Sequence, residues 1–544
     1  MSGTLISSLT WVPRGKSLAH PKKYELNDEE LERVGQMGGE GVLEQLKAQL
    51  AQMEKKEGDE WEDVDEDDGN ESGKEDSADD DAMEEDVKPH DPNDLSAFKM
   101  DEYDEGTAMG AFANIKGLTY YANNEEDPYI TLKEDDEAAE REELEIMPTD
   151  NVIITARTTE DLSSLDFHVY DESNEALYTH HDLMIPAFPL GVEWLDFAPA
   201  GCSSTNAERS GSFVAAATFD SSIEIWDCDI LDPLYPSAIL GPPGSLEKPE
   251  AKPKGTGKKK RRQMVQPQAN DEYHVQSVLS LSWTPKFRNL LLSGSADGTV
   301  KLWDLTRESP MKAQSSWTPH GGEKVQAVQW SPPAGDTAVL SAGWDRTVKV
   351  WDPMTKAGDG FAVHVGADVE CIRWDPHQPT DFFVSLENGL VLCYDARAIS
   401  SNSDPLSTQP KWTLSAHDGA ASALDPNPHI PGCLMTAGMD KLVKIWNIDE
   451  SAGGRDISLV TSRDLGLGKV FTARWCPDVE QPLTVAGGGS KATLQVWDVS
   501  VNPGARKAFG ERIRQLGREL KEKQGGGVIV NNAGDMGDDS DEDM

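Results

Sequence analysis

Long apolar runs and paired cysteines are both missing from this sequence. No stretch of 18 apolar residues occurs and the first residues hold no apolar core, so we expect neither a membrane-spanning helix nor an ordinary secretion signal. The six cysteines form no Cys-x-x-Cys pair, which disfavours a zinc or disulfide framework. Because most of them fall in strand-like segments, they indicate buried thiols in a reducing compartment.

Basic residues are scarce as well. The chain has 50 Lys and Arg against 97 Asp and Glu, for a formal net charge of −47. A molecule this acidic repels phosphates, which disfavours broad affinity for duplex DNA and favours basic proteins as partners, or a role in keeping the molecule soluble. The charge is concentrated at the two ends: residues 1–148 carry 43 acidic and 14 basic side chains, and residues 524–544 carry six acids and no base.

The most acidic stretch is residues 57–86, which holds 18 Asp and Glu among 30 residues. Such a composition cannot bury enough apolar surface to fold, so we expect disorder over 57–119 and again in the tail at 525–544. Ser72, Ser77 and Ser540 each have an acid three residues on, which favours acid-directed kinases and predicts a phosphoprotein. The alternative is that these serines are only solvated.

A repeated unit dominates the rest of the chain. Residues 278–306 (VLSLSWTPKFRNLLLSGSADGTVKLWDLT) read as three short strands separated by turns, and residues 325–354 repeat almost the same pattern. We count seven such units, of which the first begins at residues 142–147 and ends at Tyr170-Asp171. Most of the later units also place a tryptophan near the end of their first strand.

These repeats predict an all-β protein, a seven-bladed β-propeller spanning residues 120–500. A single four-stranded sheet has two apolar faces, and radial packing of blades covers both. A ring must close, and we expect a strand from the N-terminal side to complete the last blade. The candidates are residues 129–132 and, as a rival, residues 6–11 within the strand-like peptide and short helix of residues 1–56. The rival could instead be a docking peptide.

The repeats resemble those of WD-repeat proteins. Three copies carry the full polar set of that family, which in the family forms a hydrogen-bond chain inside each blade: His274, Ser293, Asp297 and Trp303; His320, Ser341, Asp345 and Trp351; His417, Thr436, Asp440 and Trp446. We interpret these residues as structural rather than catalytic. In the fifth unit Asn388 and Tyr394 replace Asp and Trp, so we expect that blade to be less well stabilised by the hydrogen-bond chain.

Two basic segments interrupt the acidic character. An insertion at 241–272 carries the basic block Lys258, Lys259, Lys260, Arg261 and Arg262, which predicts a nuclear import signal; contact with nucleic acid or an idle loop are the alternatives. Residues 501–524 predict an amphipathic helix whose apolar stripe is surrounded by basic residues. It either packs on the propeller or binds RNA or a partner through Arg506, Lys507, Arg512, Arg514 and Arg518.

No catalytic constellation, phosphate-binding loop or metal-ligand spacing is present, so we expect no enzyme activity and no cofactor. The residue before each turn Asp should lie on the face where WD-repeat proteins often bind peptides. This places Phe219, Trp344 and Met439 on a predicted partner-binding face. Trp344 could alternatively pack against the neighbouring blade.

Several blocks are more specific than the WD pattern: ISSLTWVPRG at residues 6–15, DPYITLKEDDE at 127–137, PTDNVIITART at 148–158 and GVEWLDFAP at 191–199. With them the chain resembles the periodic tryptophan protein 1 family over nearly its whole length. The resemblance implies a non-catalytic assembly factor in the nucleus and nucleolus, which acts in large ribosomal subunit biogenesis and pre-ribosomal RNA processing. Its implied partners are pre-60S assembly factors and pre-rRNA, and the acidic tracts suit basic ribosomal proteins or histones as further partners. The alternative is a histone-binding chromatin module that regulates ribosomal DNA transcription.

Overall fold

The computed structural model describes residues 4–24 and 141–524, except for residues 143, 161, 175, 201, 203–208, 243–268, 309–310, 333–336, 356–359, 400–407 and 450–455. Within this part of the chain, seven antiparallel sheets stand side by side around one axis. The predicted seven-bladed β-propeller is therefore confirmed.

Each blade is a meander whose strands follow one another from the axis outward. The inner strands are β1 (Leu5–Val12), β6 (Pro189–Phe197), β11 (Val278–Trp283), β15 (Val325–Trp330), β19 (Val369–Trp374), β23 (Ala423–Pro426) and β27 (Val470–Trp475). The second strands are β3 (Asn151–Thr159), β7 (Ser210–Thr218), β12 (Leu290–Ser295), β16 (Val339–Gly343), β20 (Asp381–Leu386), β24 (Cys433–Ala437) and β28 (Thr484–Gly489).

The third strands are β4 (Leu162–Asp171), β8 (Ile223–Asp227), β13 (Val300–Asp304), β17 (Thr347–Trp351), β21 (Leu390–Asp395), β25 (Leu442–Asp449) and β29 (Leu494–Asp498). The outer strands are β5 (Ala176–Ile185), β10 (Ala238–Leu240), β14 (Ser315–Trp317), β18 (Gly360–His364), β22 (Trp412–Ser415) and β26 (Asp456–Asp464). The seventh blade has three strands among the described residues.

The remaining elements are short, except for one helix. Strands β2 (Lys22–Lys23) and β9 (Ile230–Leu231) pair in parallel, and 3-10 turns occupy Pro285–Phe287, Ala396–Ala398 and Val499–Val501. Helix α1 (Pro503–Gln524) follows the last blade. We call the face with the turns between second and third strands the upper face, and the opposite face the lower face.

Alternation of side chains explains why these segments form blades. The second strands are buried almost throughout because both of their faces meet neighbouring blades, as the pattern of β12 shows. The outer strands are partly exposed, as in β26. Seven separate apolar clusters, most of them between adjacent blades, make up the core.

The first blade corrects the predicted start of the propeller. Its inner strand is Leu5–Val12, which pairs antiparallel with Asn151–Thr159; residues 142 and 144–147 do not form a strand. The propeller therefore begins near residue 5 rather than at 120. Residues 6–11, the rival candidate, close the ring. They do so as part of the inner strand of the first blade and not as the outer strand of the last blade. Residues 129–132 lie outside the described part.

Ring closure depends on the junction between the first and seventh blades. Trp11 Nε1 donates to the Arg474 carbonyl oxygen at 3.3 Å, and Asn151 Nδ2 donates to Gln481 Oε1 at 3.0 Å. The Arg14 guanidinium lies 2.7 Å from Asp478, 2.9 Å from Glu480 and 3.3 Å from Glu172, counting nearest nitrogen–oxygen distances. One cation on the N-terminal arm thus bridges carboxylates of both blades.

A glycine makes this junction tight. Ile6 is 1% exposed and sits against Gly488 of β28, where an added Cβ would lie 2.5 Å from Ile6 Cγ2. Only a residue without a side chain allows the N-terminal strand to pack this closely on the last blade. We therefore expect a methyl group added at Gly488 to push the first and seventh blades apart.

We predict that Gly488→Ala destabilises the protein by about 1–3 kcal/mol, the usual cost of overpacking a core. Ile6→Ala made in the same chain should recover part of the loss, because it removes the methyl groups that clash. Gly517→Ala in α1, where no atom lies within 4 Å of the added Cβ, is the control. Urea unfolding of the wild type, the two single variants, the double variant and the Gly517 control measures the effect, and strictly additive losses for Gly488 and Ile6 would contradict the packing described.

Candidate interaction surfaces

Three blades contain the complete polar chain that the sequence indicates. In the third blade Trp303 Nε1 donates to Ser293 Oγ at 2.8 Å, Ser293 Oγ lies 2.7 Å from His274 Nε2, and His274 Nδ1 lies 3.1 Å from Asp297. Neutral imidazole with its proton on Nδ1 satisfies every contact, since Ser293 can then donate to Nε2. The geometry leaves no spare donor or acceptor for chemistry.

The fourth and sixth blades repeat this arrangement. The bonds from the indole nitrogen to the hydroxyl are 3.1 and 2.9 Å, and those from the hydroxyl to His Nε2 are 3.0 and 2.9 Å. His Nδ1 is within 3.0 and 2.9 Å of the turn carboxylate. The residues are those of the predicted sets: His320, Ser341, Asp345, Trp351, His417, Thr436, Asp440 and Trp446.

The fifth blade is held differently. Its Ser385 hydroxyl donates to the Cys371 carbonyl oxygen at 3.4 Å, and Tyr394 stacks on Phe382 with ring centroids 5.6 Å apart. His364 lies in the outer strand of the fourth blade, opposite Thr347. Aromatic packing thus stands where the third, fourth and sixth blades have a hydrogen-bond chain.

The upper face presents the predicted partner-binding residues. Trp344 is 51% exposed and Phe219 57% exposed, while Met439 is half-buried. Trp344 is nevertheless fixed in place: its Nε1 donates to Gln326 Oε1 at 3.0 Å, and Lys324 Nζ lies 4.0 Å from its ring centroid. A rigid, exposed aromatic ring costs little entropy on binding, so Trp344 is well prepared as an anchor.

Acidic residues lie on the fifth blade, which follows the blade that carries Trp344. Arg346 Nε pairs with Asp368 at 2.8 Å, and burial together with the nearby carboxylates of Glu387 and Asp368 raises the pKa of Glu370. The upper face thus combines the Trp344 ring of the fourth blade, which Lys324 covers, with carboxylates on the fifth blade.

The sequence of this chain also matches known protein families. The family model described as WD domain, G-beta repeat matches residues 266–304, 311–352 and 408–447. Over 521 residues the chain is 37% identical to an uncharacterized WD repeat-containing protein of Schizosaccharomyces pombe, covering 94% of this chain and 92% of that protein. It is also 32% identical over 569 residues to periodic tryptophan protein 1 of Saccharomyces cerevisiae, covering 95% of this chain and 92% of that protein.

The chain belongs to the periodic tryptophan protein 1 family. The Drosophila melanogaster homolog is 28% identical over 518 residues, covering 93% of this chain and 96% of that protein. All three alignments span nearly the full length, so they include the segments outside the WD repeats.

The tryptophans of this family member form a ring at the lower end of the axis. Six inner strands carry a tryptophan at the same position: Trp11, Trp194, Trp283, Trp330, Trp374 and Trp475. In the sixth blade Pro426 takes this position, since it lies opposite Leu434 as Trp475 lies opposite Val485. Together with prolines that end most of these strands, they line a mouth of about 410 Å³. Proline suits the end of such a strand because it has no N–H to satisfy.

Two ion pairs link different blades at this mouth. Arg373 Nε lies 3.4 Å from Asp425 of the next blade, and Arg474 Nη2 lies 3.4 Å from Glu193, which is two blades away around the ring. Sequence reasoning missed these residues. The available signal was that the residue just before each repeated tryptophan is polar in all six strands.

Helix α1 packs on the propeller through its apolar side. Ala505 and Phe509 are fully buried on the sixth and seventh blades, so the apolar stripe packs on the propeller. Arg512 Nη1 donates to the Pro431 carbonyl oxygen at 2.9 Å and to Asn447 Oδ1 at 2.8 Å, which commits it to the lower face. Four basic residues remain exposed: Arg506, Lys507, Arg514 and Arg518.

Other predicted sites fall outside the described residues, namely Ser72, Ser77, Ser540 and the basic block at 258–262. Across the described ranges no group of three or more His, Cys, Asp or Glu could hold a metal ion. None of the helices described has the length and apolar character needed to cross a membrane.

The hydrogen-bond chains should make the fold acid-sensitive. Burial lowers the pKa of His274 and His417, so below the unfolded value near 6.5 protons bind preferentially to the unfolded chain and stability falls as pH falls. We predict that His274→Gln combined with His417→Gln reduces stability at pH 7.5 but flattens the decline between pH 7 and 5. His20→Gln, at an exposed position, is the control for urea titrations. An unchanged decline would contradict the assignment.

Trp344→Ala should leave the fold intact, with a stability change under about 1 kcal/mol, because the side chain is half exposed. We predict that it weakens binding of protein partners at least tenfold in quantitative pull-downs. Met354→Ala is the matched control, since Met354 is 54% exposed on the same blade but beyond the other end of β17. Equal partner recovery with both variants would show that Trp344 is not an anchor.

Proposed function

We propose that this protein is a nuclear and nucleolar scaffold that assists assembly of the large ribosomal subunit and processing of pre-ribosomal RNA, without catalysing a reaction. The observation that carries the proposal is membership of the periodic tryptophan protein 1 family across nearly the whole chain. The role in ribosome assembly is the one that the resemblance implies, and the partners would be pre-60S assembly factors and pre-rRNA.

The described residues support a scaffold role. The polar histidines and aspartates are used in hydrogen bonds inside the blades, and the exposed features lie on two opposite faces. The upper face offers Trp344 and Phe219, and the lower face offers the basic side of α1. Two separate surfaces let one molecule hold a protein and a second component at once.

The basic side of α1 suits RNA. Arg506, Lys507, Arg514 and Arg518 project from a helix whose other side is buried, so their positions are set by the propeller and not by a mobile tail. Arginine and lysine contact phosphates without regard to sequence, which gives salt-dependent binding. Such a contact would orient the protein on pre-rRNA while sequence recognition comes from elsewhere.

A second candidate function is a chromatin module that binds histone tails near ribosomal DNA. The acidic tract at 57–86 and the carboxylates of Asp368, Glu370 and Glu387 on the fifth blade favour it, because both attract basic peptides. Sedimentation separates the two functions: an assembly factor travels with large pre-ribosomal particles, and a histone reader stays with nucleosomes.

We predict that the native protein co-sediments with pre-60S particles and that reversing the charge of Arg506, Lys507, Arg514 and Arg518 to Glu reduces this association at least about tenfold. The fold should persist because these side chains are exposed. Arg397→Glu, on the rim of the fifth blade, is the control for charge reversal away from α1.

Co-sedimentation with nucleosomes would favour the chromatin function. If the protein sediments with pre-60S particles and the four-residue variant does so equally, the assembly role stands but the RNA contact of α1 does not.

A further inference from the structure

The turn aspartate of a complete polar chain is a buried charge. In the third blade the Asp297 side chain is 1% exposed, and its partner His274 is neutral because burial lowers the pKa of that imidazole. The serine and the tryptophan of the chain carry no charge either. The four members together therefore hold one negative charge inside the blade, and a buried charge without a compensating partner is costly.

A lysine lies beside the hydroxyl residue in each blade with a complete chain. Cross-strand partners in an antiparallel sheet point to the same side, so the third-strand residue opposite the Ser or Thr shares a side with the polar chain. The pairs are Lys301 with Ser293, Lys349 with Ser341 and Lys444 with Thr436. Lys301 is 0% exposed, which is rare for a lysine and requires partners inside the protein.

The four blades without a complete chain have other residues at this position. These residues are Asp166, Glu224, Leu392 and Gln495. The second blade is the clearest contrast, because it has a turn aspartate, Asp220, that is exposed and therefore solvated by water. In this protein the lysine is thus present where the turn aspartate faces a buried histidine, and absent from the other blades.

The sixth blade shows the contacts of this lysine most fully. Lys444 Nζ donates to the Ala416 carbonyl oxygen at 2.6 Å, and Ala416 comes directly before His417. The same nitrogen lies 3.7 Å from the Asp440 carboxylate, which is also 2.9 Å from His417 Nδ1. One carboxylate thus faces an imidazole and an ammonium group, of which only the ammonium group is ordinarily charged at neutral pH.

The third and fourth blades repeat this arrangement. Lys349 donates to the carbonyl oxygen of Pro319, the residue before the chain histidine, and Lys301 donates to the carbonyl oxygen of Asn270. Burial lowers the pKa of Lys301 and the Asp297 carboxylate opposes that shift, so the two charges act on each other. In all three blades the lysine therefore binds the segment that leads to the histidine.

We propose that Lys301, Lys349 and Lys444 are the fifth member of the polar chain, which supplies the fixed positive charge that the turn aspartate requires and so keeps the histidine neutral. Without the lysine, the same carboxylate would draw a proton onto the imidazole, since an opposite charge nearby favours the charged form. The lysine thus determines how steeply the stability of the protein declines as the pH falls.

The segments that carry these histidines also support the upper face. The Lys324 carbonyl oxygen accepts from the Trp344 N–H at 2.9 Å, and the Ala420 carbonyl oxygen accepts from the Met439 N–H at 2.9 Å. The lysines of the fourth and sixth blades therefore hold segments on which the predicted partner-binding residues rest. The inference concerns charge inside the blades, so it holds whether or not that face binds a partner.

His417 is the histidine best suited to a test. The charged groups that act on it are Asp440 and Lys444, while the neighbouring Asp418 is exposed to solvent. Burial lowers the pKa of His417, Asp440 opposes this shift, and Lys444 adds to it. Removing the charge of Lys444 should therefore raise the proton affinity of His417 in the folded protein.

The test is Lys444→Met in the full-length protein, which removes the charge and keeps an unbranched side chain. In NMR titrations of isotope-labelled histidine rings, with His417→Gln to assign the signal, we expect the proton affinity of His417 to rise at least tenfold, about one pKa unit. Lys444→Arg should leave the titration unchanged because it keeps the charge. Gln495→Met, at the same position of the seventh blade, is the control.

Urea unfolding gives a second readout. The stability that Lys444→Met loses should be smaller at pH 5.5 than at pH 7.5, because a protonated imidazole then replaces the missing charge. An equal loss at both pH values, or a His417 titration that stays unchanged or moves to lower pH, would overturn the proposal and leave the lysine as a simple hydrogen-bond donor. If Lys444→Met does not fold, Lys349→Met is judged by the same urea comparison.

Discussion

The free backbone edge of each inner strand is the constraint on which this propeller depends. That edge faces the axis and not another strand, so its N–H groups would be buried without partners unless the neighbouring blade supplied them. Ser282 accepts from the Trp330 N–H at 3.0 Å, Gln329 from the Trp374 N–H at 2.7 Å and Asp425 from the Trp475 N–H at 2.9 Å. At these three junctions one blade thereby satisfies the next, which couples the stability of neighbouring blades and makes the junction that closes the ring the critical one.

This constraint explains why a segment far away in the chain becomes the first inner strand. The chain leaves the described propeller at Tyr24 and re-enters it at Arg141, so the acidic residues 57–86 lie between two adjacent strands of one blade and not in a free N-terminal arm. Closing so long a connection costs only slightly more entropy than closing a short one, and the junction contacts of Trp11, Arg14 and Ile6 offset that cost. For a scaffold, the arrangement ties an acidic tract to the body at both of its ends.

Sequence reasoning predicted what repeats and missed what occurs once. Period-two alternation and the Trp-Asp endings indicate the blades because every blade obeys the same local rules. The position of Leu5–Val12 depends on a contact with residues about 150 positions away, and neither propensity nor alternation carries that information. Residues 142–147 illustrate the failure, since their place in the repeat count suggested a strand that Leu5–Val12 already supplies.

The same distinction applies to the candidate surfaces: some of their residues could be predicted from the repeats and others could not. Trp344 and Phe219 could be located from the turn Asp beside them, because the turn repeats. The hydrogen bonds of Arg512 to the lower face could not be predicted. A helical stripe shows which residues share one side of the helix, but not which part of the protein that side contacts. Likewise, only the assembled ring shows that Arg474 and Glu193 meet across the axis.

The central claim is that residues 5–12 form the inner strand that closes the ring, and hydrogen exchange of the full-length protein tests it most directly. The account predicts that the β1 amides that bond to β3 exchange as slowly as the paired amides of β11 and β15, and that they lose protection only with global unfolding. Fast exchange throughout residues 5–12, while β11 and β15 stay protected, would contradict it.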